Sequence, residues 1–372
     1  MTLEVFKKQP LGGVDRRAMV GALAERGPTV AREMLEKERA ALKPSGAQIP
    51  KDVAVIILGG SNGITRGLAV QLLFAEKASV FCVHLDSEKM QIGPHHAKAI
   101  AEAAEKEGLV AKFFNDDATK AETIERVIAE IKPNYRAVHV INGIAAGATK
   151  RYKEHGPTQV KDLDVAFDVV LQTPDFSKAE NIRKVGLVDV EVATDVDIER
   201  TNKFMGTSSL LWAEPLAAAG LLAKNESVVA FCDYDYPPDD PVYAMGPLAG
   251  AKKLQRETMT QIRERFGAKT ARLCYPAVAT TALGAIPGGL LMCGMTGEIL
   301  AERGQLQTIP ELSFDAMEIF KPSFASEHGE IRLDNDYQAT LPEFYKRRDA
   351  LTAEDVPSAF AKLIEVTGSS AR

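Results

Sequence analysis

The sequence is poor in cysteine and shows no clustering of metal-binding side chains. The 372 residues include only four cysteines, Cys82, Cys232, Cys274 and Cys293, and no two of them have Cys-x-x-Cys spacing. This spacing argues against both a zinc site and a disulfide framework, and indicates small buried hydrophobic side chains. The pair His95-His96 lacks a third ligand at helical or loop spacing, which predicts the solvated start of a helix and no bound metal.

The chain also lacks an excess of basic charge and a long apolar run. Its formal net charge of -6 and pI of about 5.7 argue against nucleic-acid binding, which needs a concentrated surplus of Lys and Arg. No segment approaches the roughly 20 apolar residues of a membrane span, and the first residues lack the layout of a signal peptide. We therefore expect a cytoplasmic protein without nucleic-acid or membrane partners.

Apolar runs alternate with helix-favouring segments after residue 50. The runs lie at residues 53–58, 80–85, 110–114, 137–141, 228–232 and 271–275. Continuous apolar strands separated by helices predict a Rossmann-type α/β fold, a doubly wound parallel sheet covered on both faces. Residues 1–50 are interpreted as a helical N-terminal lead-in and 51–372 as one enlarged domain. Residues 149–197 are interpreted as an insertion or β-ribbon, and Thr352-x-x-Asp355 predicts a closing helix.

A glycine-rich turn follows the first apolar run and opens a helix. It reads Gly59-Gly60-Ser61-Asn62-Gly63-Ile64-Thr65-Arg66-Gly67. Glycine lets the backbone approach a pyrophosphate, and a helix N-terminus supplies free N–H groups for it. The second run ends at Asp86, about 20 positions after Gly67, where a carboxylate binds an adenosine ribose and repels a 2′-phosphate. We expect NADH as the cofactor; nearby Lys89 leaves NADPH as the alternative.

Tyr243 stands before a helix, and Lys252 lies two to three turns along it. That spacing can bring a phenol and an ammonium to one site. We expect the ammonium to lower the pKa of the phenol from about 10, so that it can deliver a proton or hydrogen bond to a developing oxyanion. Lys252 would also bond the nicotinamide ribose. The pair predicts an oxidoreductase centre.

Several motifs in this order resemble the trans-2-enoyl-CoA and enoyl-acyl-carrier-protein reductases of the Tyr-x8-Lys type, enlarged relatives of the short-chain dehydrogenases. The resemblance runs from residue 46 to 337 and includes, besides the turn and the Tyr-Lys pair, Glu107-Gly108-Leu109, Asn115-x-Asp117-Ala118, Met205-Gly206 with Trp212, and Ala285-Ile286-Pro287. It implies hydride transfer from NADH to the β-carbon of a 2-enoyl thioester. It further implies a substrate carried by CoA or acyl-carrier protein, and a monomer or weak homo-oligomer.

The resemblance also implies the roles of individual residues. Tyr243 would stabilise and help to protonate the enolate oxygen, and residues 280–304 would form a lid over the acyl tail. The implied cofactor contacts are Gly59, Ser61, Asn62, Gly63, Gly67, Asp86, Asp117, Ala118, Gly143, Ile144, Ala145, Lys252 and Thr280. The implied substrate contacts are Tyr234, Tyr243, Ile286 and Pro287.

Three departures from the family pattern predict a divergent member. Residues 64–66 lengthen the glycine-rich turn, Asn142 stands where the family tends to carry tyrosine, and Asp233 replaces an upstream tyrosine, with Tyr234 beside it. Two other functions stay open at this stage. A Tyr-Lys pair protonates an alkoxide as readily as an enolate, which is typical of short-chain carbonyl reductases and alcohol dehydrogenases. A noncatalytic dinucleotide-binding regulator is the other alternative.

Overall fold

The computed structural model describes residues 2–8, 15–87, 89, 91–165, 182–234, 236–276, 278, 281–324, 329–333 and 337–352. Its helices are α1 (Arg16–Ala41), α2 (Gly63–Val70), α3 (Gly93–Lys106), α4 (Ala121–Ile131), α5 (Asp195–Thr201), α6 (Ser208–Ala218), α7 (Pro247–Phe266), α8 (Gly289–Glu302), α9 (Ile309–Ala316) and α10 (Leu341–Ala350). Its strands are β1 (Val53–Leu58), β2 (Ser79–His84), β3 (Ala111–Asn115), β4 (Ala137–Asn142), β5 (Gln159–Val165), β6 (Ile182–Asp189), β7 (Val228–Tyr234), β8 (Lys269–Tyr275) and β9 (Glu330–Arg332).

Within the described residues, seven strands form one sheet in the order β3-β2-β1-β4-β7-β8-β9. Every neighbouring pair in it is parallel. From β1 the chain moves outward to β2 and β3, and then returns to β4 on the other side of β1. The carboxyl ends of β1 and β4 therefore border the crevice in which doubly wound sheets bind their ligands. The predicted Rossmann-type sheet is confirmed.

Helices cover both faces of the sheet because its central strands carry apolar side chains on both faces. Every residue of β1 and β4 is buried. Side chains of α1, α2, α3 and α9 pack on one face, and side chains of α4, α6 and α7 pack on the other. Trp212 of α6 is fully buried, and its indole N–H donates to the carbonyl of Ala118 at 2.8 Å. The loop after β3 is thereby fixed to the second face.

The described part of residues 149–197 contains an antiparallel ribbon, β5 paired with β6. The N-terminal segment runs beside β6, since Phe6 donates its N–H to the carbonyl of Leu187 at 2.8 Å and Leu187 donates to Glu4 at 2.9 Å. The ribbon, α8 and α10 enclose a second apolar cluster, which also contains Tyr243. The ribbon therefore walls the surroundings of that tyrosine.

Helix α8 is buried along almost its whole length, and β5 anchors its start. The buried carboxylate of Asp162 accepts the N–H of Gly288 at 2.9 Å and pairs with Lys8. The neighbouring Lys161 donates to the carbonyl of Arg348 at 2.7 Å, near the end of α10. One strand of the ribbon thus fixes the ends of two helices.

Some local predictions are corrected by the structure. His96 is buried instead of solvated, because α3 begins at Gly93 and places the imidazole beside Arg66. Burial and the neighbouring guanidinium lower the pKa of His96 to about 2. Three cysteines are buried as predicted, whereas Cys232 is partly exposed. The predicted helix after Thr352 lies outside the described residues.

The described residues contain neither a membrane-spanning helix nor a cluster of metal ligands. No described helix combines the length and apolarity that crossing a membrane requires. No group of three or more His, Cys, Asp or Glu side chains in the described part of the chain is placed to hold a metal ion.

Candidate active site

The glycine-rich turn joins β1 to α2 at the crevice. Asn62 precedes α2 in an extended conformation, and its side-chain oxygen accepts the N–H of Gly63 at 2.9 Å. Gly59 (φ +87°) and Gly63 (φ +59°) adopt backbone conformations that favour glycine. These two glycines are thus required by the path of the chain, which sets the N-terminus of α2 at the carboxyl edge of the sheet.

Gly59 and Gly143 bring the loops after β1 and β4 into contact. A Cβ atom on Gly59 would lie 3.1 Å from the carbonyl oxygen of Gly143, and a Cβ on Gly143 would lie 2.1 Å from Cγ2 of Thr65. The Thr65 hydroxyl donates to the carbonyl of Gly59 at 2.6 Å. A side chain at Gly59 would therefore crowd the backbone of Gly143, and one at Gly143 would clash with the side chain of Thr65.

The second half of the turn points away from the crevice. Gly67 is the fifth residue of α2, and a Cβ there would lie 2.3 Å from Cγ2 of Ile309 in α9. Arg66 is 2% exposed; its guanidinium pairs with Glu38 of α1 and lies 3.3 Å from Nδ1 of His96. This placement assigns Gly67 to helix packing instead of to the pyrophosphate, because it lies beyond the free first turn of α2.

Asp86 follows β2, and its carboxylate lies beside Gly93, the first residue of α3. Its Oδ2 is 2.8 Å from Nδ1 of His84, and a Cβ on Gly93 would lie 2.1 Å from the same oxygen and 3.0 Å from Oγ of Ser61. Asn115 fixes the backbone of Asp86, since its amide donates to the Asp86 carbonyl at 3.0 Å and its oxygen accepts the Asp86 N–H at 2.9 Å. Two predicted cofactor contacts, Ser61 and Asp86, are thus brought together.

Asp117 and Ala118 follow β3 and are both engaged locally. One carboxylate oxygen of Asp117 accepts the N–H of Thr119 at 2.8 Å and its hydroxyl at 2.7 Å. The carbonyl of Ala118 is the acceptor for Trp212. Their contact with adenine stays a prediction.

Asn142 ends β4 and is 1% exposed. Its amide donates to the hydroxyls of Ser208 at 2.8 Å and Ser209 at 2.9 Å, and its oxygen accepts the N–H of Ile144 at 3.1 Å. Asn142 therefore ties residues 143–145, the predicted nicotinamide side, to the first turn of α6. The sequence indicated Asn142 only as a departure from the family pattern, because its serine partners are remote in the chain.

Tyr243 lies in a group of three tyrosines. Its ring centroid is 4.7 Å from that of Tyr234 and 5.4 Å from that of Tyr236, which stacks on it. The hydroxyl of Tyr234 is buried and has no hydrogen-bond partner in the part of the chain that the structure describes. Tyr243 is 7% exposed, and burial raises the pKa of its phenol above the ordinary value. The predicted lowering of this pKa by Lys252 is therefore wrong, because burial dominates the surroundings of the phenol and raises its pKa.

A carboxylate holds the backbone of the turn that carries Tyr243, before α7. Oδ1 of Asp240 accepts the N–H of Val242 at 2.9 Å and the N–H of Tyr243 at 2.7 Å. At the end of this turn a Cβ on Gly246 would lie 2.0 Å from the carbonyl oxygen of Lys150. The backbone at the start of the insertion therefore packs closely against the start of α7. Sequence reasoning missed Asp240, since aspartate before a helix is also an ordinary turn residue.

Lys252 lies in the second turn of α7, and its side chain is 8% exposed. Nζ donates to the carbonyl of Cys232 at 2.8 Å and lies 3.4 Å from Oδ1 of Asp233. It also lies 5.7 Å from the centroid of the Phe231 ring. The ammonium is therefore held at the carboxyl end of β7, the strand next to β4.

Two predicted substrate residues precede α8. Ile286 is 7% exposed and belongs to the same apolar cluster as Tyr243. Pro287 is buried beside it, and the hydroxyl of Thr149 donates to the carbonyl of Ala285 at 3.2 Å. Thr280, a predicted cofactor contact, lies outside the described residues.

The sequence is similar to a known family of reductases. Residues 90–314 match the family model described as the trans-2-enoyl-CoA reductase catalytic region. An enoyl-[acyl-carrier-protein] reductase [NADH] of Pseudomonas putida (strain W619) is 27% identical over 300 residues, covering 76% of this chain and 73% of that protein. The protein of the same name from Paraburkholderia xenovorans (strain LB400) is 26% identical over 328 residues, 84% of this chain and 81% of that one.

The fold is similar to that of solved reductases. The structure of Clostridium acetobutulicum trans-2-enoyl-CoA reductase in complex with NADH superimposes with a TM-score of 0.73 at 19% identity, covering 98% of this chain and 94% of that one. The Treponema denticola trans-2-enoyl-CoA reductase in complex with NAD gives 0.71 at 18% identity, covering 99% and 95%. At these identities the likeness shows a shared fold.

Proposed function

The chain belongs to the trans-2-enoyl-CoA reductase family and is an NADH-dependent reductase of 2-enoyl thioesters; we propose that Tyr243 and Lys252 carry its reaction. The observation that supports this most is the place of Tyr243. Its phenol lies in the apolar cluster between the ribbon and α8, and the Asp240 turn fixes its backbone. An acyl chain and a polar thioester need such an arrangement, apolar walls with one hydrogen-bond donor among them.

The crevice fits a dinucleotide. The backbone approach of Gly59 to Gly143 keeps side chains away from the ends of β1 and β4, and the first turn of α2 supplies N–H groups for a pyrophosphate. Asn62 and Gly63 would hold the phosphates, and Asp86 the adenosine ribose, at which its carboxylate disfavours a 2′-phosphate. NADH, when bound, supplies the hydride that adds to the β-carbon of the substrate.

Tyr243 would act on the thioester oxygen. Addition at the β-carbon moves negative charge onto that oxygen, and a neutral phenol can donate a hydrogen bond to it and help to protonate the enolate. Burial raises the pKa of Tyr243, so the phenol keeps its proton until the charge develops. The same burial strengthens the hydrogen bond, because little water competes for it.

Lys252 would hold the nicotinamide ribose. Its ammonium has three N–H donors, and one of them is engaged by the Cys232 carbonyl. This bond aims the side chain along the end of β7, beside the crevice strand β4. Lys252 would therefore contribute to cofactor affinity, whereas Tyr243 would contribute to the chemical step.

The acyl tail would lie between the ribbon and α8. The apolar cluster there includes Leu163 of β5, Ile286, Leu290 and Cys293. The thioester carrier would be CoA or acyl-carrier protein, the groups named for the solved and the curated relatives respectively. A cytoplasmic location and a monomeric or weakly associating state stay predictions.

The experiment that tests this function is a substrate panel. NADH oxidation by the wild-type protein would be followed with crotonyl-CoA, longer trans-2-enoyl thioesters and simple ketones. We expect turnover with the enoyl thioesters and not with the ketones. Turnover with ketones alone would contradict the proposal and indicate a carbonyl reductase. NADH binding without any turnover would indicate a regulator.

A further inference from the structure

Asp233 is a buried carboxylate among three cations. It lies at the carboxyl end of β7, and its side chain is 1% exposed. Its Oδ2 is 2.8 Å from Nε of Arg272 and 3.7 Å from a terminal nitrogen of Arg256, and its Oδ1 is 3.4 Å from Nζ of Lys252. Burying a carboxylate costs free energy unless the charge is paired. These cations therefore stabilise the ionised form of Asp233.

The two oxygens of Asp233 are used unequally. Oδ2 accepts a hydrogen bond from Arg272, whereas Oδ1 is buried and has no hydrogen-bond partner among the described residues. The ammonium nitrogen of Lys252 lies 3.4 Å from Oδ1. A buried acceptor without a donor costs free energy, so this oxygen attracts an N–H of the lysine toward the end of β7.

The position of Asp233 does not depend on Lys252. Arg272 of β8 holds its carboxylate from the other side, and a second nitrogen of Arg272 donates to Glu330 of β9 at 2.7 Å. The ion pairs therefore run across three neighbouring strands and end at the lysine of α7. A side chain fixed in this way can orient another without moving itself.

We propose that Asp233 is a positioning residue for the reaction: it holds the ammonium of Lys252 where it meets the nicotinamide ribose. The Cys232 carbonyl accepts one N–H of the lysine at 2.8 Å, and Oε1 of Gln255 lies at the longer distance of 3.5 Å. The carboxylate of Asp233, 3.4 Å from Nζ, holds the ammonium by charge. Asp233 then acts through Lys252 and touches neither cofactor nor substrate. This inference rests on the role of Lys252 proposed above.

The test is a double-mutant cycle with the variants Asp233→Asn and Lys252→Met and their combination. Both single variants should raise the dissociation constant and the KM of NADH about tenfold, with kcat at saturating NADH changed less than about twofold. The combined variant should bind NADH no more weakly than Lys252→Met alone, because Asp233 has no other route to the cofactor. If the two fold-losses in NADH affinity multiply in the combined variant, the proposal is overturned.

Glu330→Gln is the matched control, since it removes a carboxylate from Arg272 without approaching Lys252. It should leave the dissociation constant of NADH within about twofold of the wild-type value, because exposed ion pairs contribute little free energy. An equal loss in Glu330→Gln and Asp233→Asn would show that the arginine network matters only for structure. If Asp233→Asn does not fold, Asp233→Asn with Arg272→Gln removes both charges, and its NADH affinity should again fall about tenfold.

Two failures are distinguishable in this design. If Lys252→Met leaves NADH affinity unchanged, the proposed role of the lysine is wrong. If Lys252→Met weakens binding and Asp233→Asn does not, the lysine holds the cofactor without help, and the role of Asp233 is wrong.

Discussion

Asp240 accepts the backbone N–H of Tyr243 at 2.7 Å, so a carboxylate fixes the turn that presents the phenol. Burial raises the pKa of Asp240 to about 6, against the opposing effect of its two backbone hydrogen bonds. The folded protein therefore binds a proton at this position more tightly than the unfolded chain does. The turn before α7 has a pH dependence of its own.

The stability of the protein should follow the protonation of Asp240. Because the folded pKa is raised from 3.8 to about 6, the unfolded chain gives up the proton first, and the stability associated with it is lost as pH rises through that range. We expect the free energy of unfolding of the wild type, relative to Asp240→Asn, to fall between about pH 4 and pH 6 and then level off. Urea denaturation at several pH values measures this difference. Asp195→Asn, at an exposed acid of α5, is the control, and parallel pH profiles for wild type and Asp240→Asn would contradict the account.

The glycine-rich turn gives a matched pair of variants. Gly59→Ala and Gly46→Ala both place alanine at a positive φ, +87° and +82°, but only at Gly59 does the new Cβ meet the loop after β4. Both should lose about 1 kcal/mol of stability from backbone strain. Only Gly59→Ala should weaken NADH binding, by about tenfold or more, as measured by titration of NADH fluorescence. Equal NADH affinities in the two variants would show that Gly59 does not border the cofactor site.

Most of the sheet could be predicted from the sequence because its central strands are buried on both faces and read as continuous apolar runs. Strand β9 could not, since it has only three residues, two of them charged, and the neighbouring strand engages it partly through the Arg272–Glu330 ion pair. Helix α10 could not either, because one narrow face of it, including Leu341 and Phe344, is buried. Short or largely polar elements depend on tertiary contacts that no local pattern records.

The candidate site divides in the same way. Tyr243, Lys252 and the glycines belong to motifs with fixed spacing, and the sequence places them on the correct elements. Asn142 and Asp233 contact partners on other elements, such as Ser208 and Arg272, and these contacts exist only in the folded chain. The sign of the Tyr243 pKa shift is also a property of the packed cluster, which sequence spacing does not describe.

Asp86 should set the choice of nicotinamide cofactor. Replacing its carboxylate with an amide keeps the size of the side chain and removes the charge that repels a 2′-phosphate. We expect Asp86→Asn to lower the ratio of kcat/KM for NADH to that for NADPH about tenfold. Asp116→Asn, which removes a nearby charge that pairs with Arg126, should leave the ratio unchanged. If both variants shift the ratio alike, the discrimination comes from overall charge and not from Asp86.

The buried pair between Glu38 and Arg66 should stabilise the contact of α1 with α2. Both side chains are almost fully buried, and removing one partner leaves the other charge unpaired. We expect Glu38→Ala to lower the free energy of unfolding by about 3 kcal/mol. Glu36→Ala, on the exposed side of the same helix, should cost less than about 0.5 kcal/mol. Similar losses in chemical denaturation would show that the pair contributes little.

If the phenol of Tyr243 takes part in the chemical step, its removal in Tyr243→Phe should slow turnover without affecting cofactor binding. The measurement is enoyl-CoA-dependent NADH oxidation together with the dissociation constant of NADH, with Tyr135→Phe, remote from the crevice, as the control for losing a phenolic hydroxyl. We predict that kcat falls about 100-fold or more in Tyr243→Phe while NADH affinity is unchanged. Near-wild-type turnover in Tyr243→Phe would contradict the account.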